Sequence, residues 1–241
     1  MNLEFPSSYS VHDVSPLRQP PYFDFMSIRK NTTTFNKEFL IQKSQNRYQL
    51  KGGFTPLDIG FSKEYEILYV NGSLPWFTNG HNLSFSQVEL ESTIDDLSMV
   101  LDVDMTSAIV TCFEVSKILS LPFAVAEYQN NHFDLKGFER VIHQKTLYYN
   151  RYTRRGHKEL TLKFYDAASN AVQKKMSVQL LGHWLKYESK LHNPHKSFGQ
   201  VLTVSDIIND KSIIDKTYSE MKHHYENINK GVAVYEASSS A

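Results

Sequence analysis

Glu114 stands in the segment SAIVTCFEVS, where Ile109, Val110, Phe113 and Val115 read as a buried β-strand. A carboxylate inside an apolar strand must be paired, hold a metal, or point from the open face of a sheet, because burying an unpaired charge is costly. Glu188 poses the same question in HWLKYESKL. Alternation places Trp184, Lys186, Glu188 and Lys190 on one face and Leu185, Tyr187, Ser189 and Leu191 on the other. The Lys-Glu-Lys stripe suits an ion and a phosphate held together, and suits a cross-strand ion-pair ladder equally well. Carboxylates on neighbouring strands are oxygen ligands of the kind that Mg²⁺ or Mn²⁺ prefers. At the end of KELTLKFYD, Tyr165 and Asp166 are consecutive, so only one of them points into a site if the strand continues. The densest positive patch is Arg151, Tyr152, Arg154, Arg155, His157 and Lys158, followed by Lys163. Cations around an aromatic fit backbone contact and base stacking on single-stranded DNA. A solvated hairpin tip explains the same pattern.

The elements that must position these groups are written in the local patterns. YFDFMSIRK predicts a first strand from Tyr22, with Phe23 and Phe25 on one face. RYQLKGGFTPLDIGFSK is broken by Gly52, Gly53, Pro56 and Gly60 into short strands, and EYEILYVNGSL reads as a strand meeting a tight turn at Asn71-Gly72. Ser86 with Glu89 three residues on is a capping-box pattern, and Val88, Leu90, Ile94, Leu97, Val100 and Leu101 continue a helical stripe over about 87–101. KTLYYNRY and KELTLKFYDAA form a hairpin through TRRGH, HNPHKSFG is a turn-like connection, and residues 204–230 carry one or two helices. Residues 122–145 are mixed. The order of strands, helix, strands and helix predicts an α+β fold, an antiparallel β-sheet with helices packed on one face. Residues 1–21, with four of the eight prolines, read as an irregular arm, 22–230 as one domain, and 231–241 as a flexible tail.

Composition narrows the function classes. The chain has 241 residues, with 26 Lys+Arg against 26 Asp+Glu, so it is no general polycation and any nucleic-acid contact must be local. One cysteine, Cys112, excludes an internal disulfide and fits a reduced compartment. No run approaches 18 apolar residues, and the start lacks the charged and apolar regions of a signal peptide, so neither a membrane span nor secretion is expected. Phosphate-cradling glycine loops, CxxC, HExxH and GxSxG are absent. His192 and His195 sit in a proline-containing turn and read as exposed turn residues.

Four segments together resemble the phage and plasmid rolling-circle replication-initiation proteins related to the filamentous-phage gene II endonuclease. They are VNGSLPWFTNGHNL at 70–83, SAIVTCFEVS at 107–116, KTLYYN with LTLKFYDAASN at 145–170, and WLKYESKLHNPHKSFGQVLTVSDI at 184–207. The resemblance spans about residues 65–230. It implies a nicking-domain-like fold and a replication initiator that cuts one DNA strand. Tyr165, the tyrosine of the FYD motif, would be the nucleophile, keeping the 5′ phosphate and releasing a 3′-OH primer. Glu114, Glu188 and Asp166 would hold Mg²⁺ or Mn²⁺, with Lys186 or Lys190 at the phosphate. The partners implied are single-stranded or origin DNA and host replication proteins, in the cytoplasm of a bacterial host. Tyr187 and Lys190 also spell Y-x-x-K, a second nicking pattern. Three positions depart from the family: Cys112 replaces an arginine, Ala167 a lysine and Asn170 an acid. Two readings therefore stand: other lysines (Lys163, Lys186, Lys190) substitute, or the chain is a catalytically degenerate DNA-binding relative. An oligomerising structural protein is a third reading that the neutral charge permits.

Overall fold

Alternating apolar and polar residues, bounded by glycine, proline and asparagine, set the strands. The computed structural model describes residues 22–50, 53, 56–174, 180 and 182–231; the expected arm at 1–21 and nearly all of the expected tail lie outside them. The strands are β1 (Tyr22–Asn31), β2 (Leu40–Ser44), β3 (Arg47–Leu50), β4 (Leu57–Ser62), β5 (Ile67–Gly72), β6 (Ile109–Leu121), β7 (Glu139–His143), β8 (Thr146–Tyr152), β9 (Lys158–Asp166) and β10 (His183–Leu191). They form one sheet in the order β2-β3-β4-β5-β1-β6-β10-β9-β8-β7. Every neighbouring pair is antiparallel. The helices are α1 (Leu74–Asn79), α2 (Gln87–Leu101), α3 (Val125–Asn130), α4 (Ala167–Gln173), α5 (Pro194–Phe198), α6 (Val204–Asn209) and α7 (Lys211–Glu226). This is the α+β class the sequence predicts.

The long β6, rich in β-branched and apolar residues, runs through the middle and is almost entirely buried. One face of the sheet carries the apolar half of each alternation and takes most of the helices. Tyr187 stacks on Phe164 at 4.2 Å and donates to the Met221 carbonyl of α7 at 2.8 Å. Gln129 of α3 donates to the Phe164 carbonyl at 2.7 Å, and Phe198 of α5 meets Phe113. Leu90, Ile94 and Leu97 of α2 and Val204 and Ile207 of α6 join the same core. The capping box at Ser86 and Glu89 forms as the sequence predicts.

Two short helices depart from the one-face expectation. α1 and α4 border the other face, beside the pocket that face carries. Asn71-Gly72 is not a hairpin turn: β5 runs directly into α1, whose first turn Ser73 caps. Gly72 lies against Leu57, where a Cβ would come within 2.5 Å of its Cδ2. HNPHKSFG contains α5 rather than only a turn, and the mixed stretch 122–145 resolves into α3 and β7.

Candidate functional site

Register fixes which side chains share the open face. Glu114, Lys190 and Thr161 are cross-strand partners on β6, β10 and β9, and so are Ser116, Glu188 and Lys163 one step along. The next row pairs Lys186 with Tyr165. Side-chain alternation therefore brings Glu114, Glu188, Tyr165, Lys163, Lys186 and Lys190 to one side of three adjacent strands.

Simple alternation fails at β1, and there it hides a site residue. The pairing slips between Phe23 and Phe25, so Phe23 opposes Val115 and Phe25 opposes Glu114, with Asp24 as the extra residue of a β-bulge. Phe23 turns to the core against Phe113, whereas Phe25 lies under the Lys190 ammonium, 3.6 Å from its ring centroid. Phe23 and Phe25, expected on one face, are on opposite faces. The bulge sends Asp24 to the open face beside Phe25. Its carboxylate accepts from Ser116 at 2.9 Å, from the Asn82 amide at 3.0 Å and from Lys186 at 2.5 Å. The sequence signal was available: an aspartate inside YFDFM needs a partner. Asn82, on the loop after α1, also went unrecognised. Its carbonyl accepts from Lys186 at 2.6 Å and from the Tyr22 hydroxyl at 2.8 Å.

Asp24, Glu114 and Glu188 each offer a carboxylate oxygen within 4.8 Å of the others, and all three are buried. Ammonium groups thread between them. Lys163 Nζ lies 2.8 Å from Glu114 Oε2 and 2.9 Å from Glu188 Oε2. Lys186 Nζ also reaches Glu188 Oε1 at 3.2 Å, and Lys190 Nζ approaches Glu114 at 3.7 Å. Tyr165 donates its phenol proton to Glu188 Oε1 at 2.5 Å. Asp24, Glu114, Glu188, Lys163 and Tyr165 border an open pocket of about 270 Å³ that includes Trp76 of α1 and Asn170 of α4. The donor set fits a hard divalent ion, since it is all oxygen and triply acidic. Such an ion would be held by Asp24, Glu114 and Glu188 in competition with the Lys163 ammonium.

Burial and proximity pull the acids apart. Burial raises Glu114 to about 7, with the Glu188 charge adding to the push and Lys163 opposing it. Asp24 is raised by burial against the pull of Lys186. Burial also acts to raise Glu188, but Lys163 and Lys186 outweigh it and hold this carboxyl well below its ordinary range. Tyr165 is pushed well above the usual phenol value by burial and then by Glu188 and Asp24. The phenol therefore rests protonated, with Glu188 ionised and in place to accept its proton.

Other expected site residues lie elsewhere. Asp166 caps α4, accepting from the Ser169 amide at 2.9 Å, and stands outside the acidic cluster because the strand ends there. Lys186 is fully buried, so it holds Asp24 and Glu188 and cannot reach out to a phosphate. Tyr187 faces the helices, which removes the Y-x-x-K pairing. Arg151 pairs with Glu159 at 3.1 Å and lines a separate groove with His223 and His224 of α7. Arg154, Arg155 and Lys158 are exposed at the hairpin tip, and Tyr152 is 40% exposed. Seven residues of strand, about 23 Å, separate Lys158 from Tyr165. Cys112 is buried in β6, and burial raises its thiol to about 11.

No helix among the described residues is long and apolar enough to cross a membrane. No protein-family model matches the chain, and no curated protein matches it. Among solved structures, the chain is similar to a rolling circle replication initiator protein from Geobacillus stearothermophilus, at 13% identity and a TM-score of 0.37, over 81% of this chain and 79% of that one.

Proposed function

We propose that the chain is a replication initiator that nicks one strand of DNA by tyrosine transesterification, on the open face of the sheet. The observation that carries this reading is the convergence of Tyr165 with Asp24, Glu114 and Glu188 in one open pocket. Tyr165 Oη attacks the phosphorus while its proton passes to Glu188 Oε1. The bond from phosphorus to the 3′ oxygen breaks, the 5′ phosphate stays on the tyrosine, and the departing oxygen takes a proton from water to become a 3′-OH primer. Lys186 and Asn82 hold Asp24 and Glu188 in place from beneath. A Mg²⁺ or Mn²⁺ ion held by Asp24, Glu114 and Glu188 would polarise the phosphate. The exposed Arg154, Arg155 and Lys158 supply charge for the strand beyond the pocket.

The test is a labelled single strand incubated with Mn²⁺ and the protein, then resolved under denaturing conditions. A covalent protein–DNA product is expected for the wild type and none for Tyr165→Phe. A second reading, a DNA-binding relative without nicking activity, is favoured by one observation. Lys163 and Lys186 already balance the carboxylates, while Ala167 and Asn170 stand where the resembling family has a lysine and an acid. Strand binding without any covalent product would establish that second reading and remove the first.

A further inference from the structure

Charge in the pocket can be balanced group by group. Asp24, Glu114 and Glu188 supply three carboxylates, and Lys163, Lys186 and Lys190 are the ammonium groups that pair with them. Of these three lysines only Lys163 lines the pocket itself, and one further lysine, Lys174, lines it too. Lys174 follows the last turn of α4, a helix that packs on β10 and β9. Among the described residues no carboxylate lies within ion-pairing distance of it; its ammonium rests 4.8 Å from the centroid of the Trp76 ring on α1. Trp76 also lines the pocket, so this contact holds the charge at the pocket that Tyr165 and Glu188 line. The side chain is exposed, in contrast to the enclosed Lys186.

We propose that Lys174 is the residue that grips the phosphodiester in this pocket, a role that rests on the strand-nicking reading above. A phosphodiester carries one negative charge, and Lys163, Lys186 and Lys190 are each already engaged by a carboxylate. Lys174 supplies that charge from a position that leaves the carboxylate–lysine network intact. It comes from the same helix as Ala167, the position where the resembling family carries its lysine, so α4 delivers from its far end a charge missing at its start. Partial desolvation by the surrounding pocket wall lowers this lysine below the usual value although its surface is open to solvent, and pairing with a phosphate favours the charged form.

The experiment measures binding of a short single-stranded oligonucleotide across a salt series, for wild type, Lys174→Gln, Lys174→Arg and Lys222→Gln. Lys222 sits on α7, on the opposite side of the sheet, so its substitution removes the same charge at a distance. For Lys174→Gln the log–log salt slope is expected to become shallower by about 0.7, the loss of one phosphate contact on a single strand. Its nicking rate with Mn²⁺ falls about 10²-fold. Lys174→Arg restores the slope, and Lys222→Gln matches wild type. Wild-type binding and nicking with an unchanged slope in Lys174→Gln overturns the Lys174 role and leaves the nicking reading standing. Binding with the expected slope change and no covalent product keeps Lys174 as the phosphate contact and removes the nicking. A wild type that does not bind the strand overturns both.

Discussion

Glu188→Gln removes the charge at the hub of the site while keeping its shape. The Glu188 carboxylate meets Tyr165 at 2.5 Å, Lys163 at 2.9 Å and Lys186 at 3.2 Å, with 2% of the residue exposed. At an effective dielectric of about 20, each charge pair near 3 Å is worth about 5 kcal/mol of attraction before desolvation. Breaking a buried pair from one side costs about 3–5 kcal/mol net. The lower end applies here. Lys163 keeps Glu114 at 2.8 Å and lies near the mouth of the pocket, and the glutamine carbonyl still accepts one hydrogen bond. The expected loss is about 3 kcal/mol. For a chain of this size that is a fall in Tm of about 6–12 °C.

A second readout comes from Glu114. Burial and the Glu188 charge raise its folded carboxyl to about 7, so its contribution to stability is fully present below the unfolded value near 4.5 and is lost as pH rises through 7. Without the Glu188 charge that folded value moves down, and the sloping region contracts toward 4.5. Urea unfolding at several pH values between 5 and 8 measures both effects, with an unchanged m-value as the check on two-state behaviour. A loss below about 1 kcal/mol together with an unaltered pH profile would refute the buried network as the account of this site.

Asp24→Asn should cost about 3–5 kcal/mol in urea unfolding, because the fully buried Lys186 ammonium loses its nearest counter-charge and cannot turn to solvent. Asp166→Ala should cost about 1 kcal/mol, the loss of a helix cap, and leave the Mn²⁺ dependence of strand cleavage unchanged; altered metal dependence would return Asp166 to the site. His132 is fully buried, donates Nδ1–H to the Tyr128 carbonyl at 2.6 Å and is held down to about 4 by burial. Its contribution is present above pH 6.5 and lost as pH falls through 4, about 3 kcal/mol in all, so the stability difference between wild type and His132→Phe should shift by that amount across this window.

Local patterns carried most of the fold because their causes are local. The alternation in HWLKYESKL, the hairpin through TRRGH and the capping box at Ser86 each depend on residues within a few positions. They suffice to put Glu114, Glu188 and Tyr165 on known faces of known strands. Asp24 was missed because a bulge has no two-residue period: one inserted residue reverses the facing of everything before it. Asp166 does two things that no single local pattern announces: it is the last residue of β9, paired with Leu185, and its carboxylate caps α4. The α1 start had a usable sign in Ser73 followed by Pro75, but a six-residue helix leaves no periodicity to detect. The burial of Lys186 was beyond any local pattern, since it comes from Asn82 and Asp24, 104 and 162 residues away in sequence.

The same network sets a competition that distinguishes an ion site from a structural salt-bridge cluster. Lys163 Nζ bridges Glu114 and Glu188, so a divalent ion held by those carboxylates would compete with it. Its side chain is 22% exposed, against 0% for Lys186, so Lys163 is the lysine able to swing out when an ion enters. In the wild type, part of the ion's binding free energy goes into breaking those two pairs. Lys163→Gln removes the competitor and leaves the acids less neutralised. Close charge pairs couple by about 1.5–7 kcal/mol, and the low end alone is more than a tenfold change in Kd. Mn²⁺ should therefore bind Lys163→Gln at least about tenfold more tightly than wild type in a titration followed by calorimetry, although the variant itself is less stable without the ion. Equal affinity in the two proteins, or no Mn²⁺ binding in either, would mean that the three acids serve to hold lysines within the sheet and that metal plays no part in what this face does.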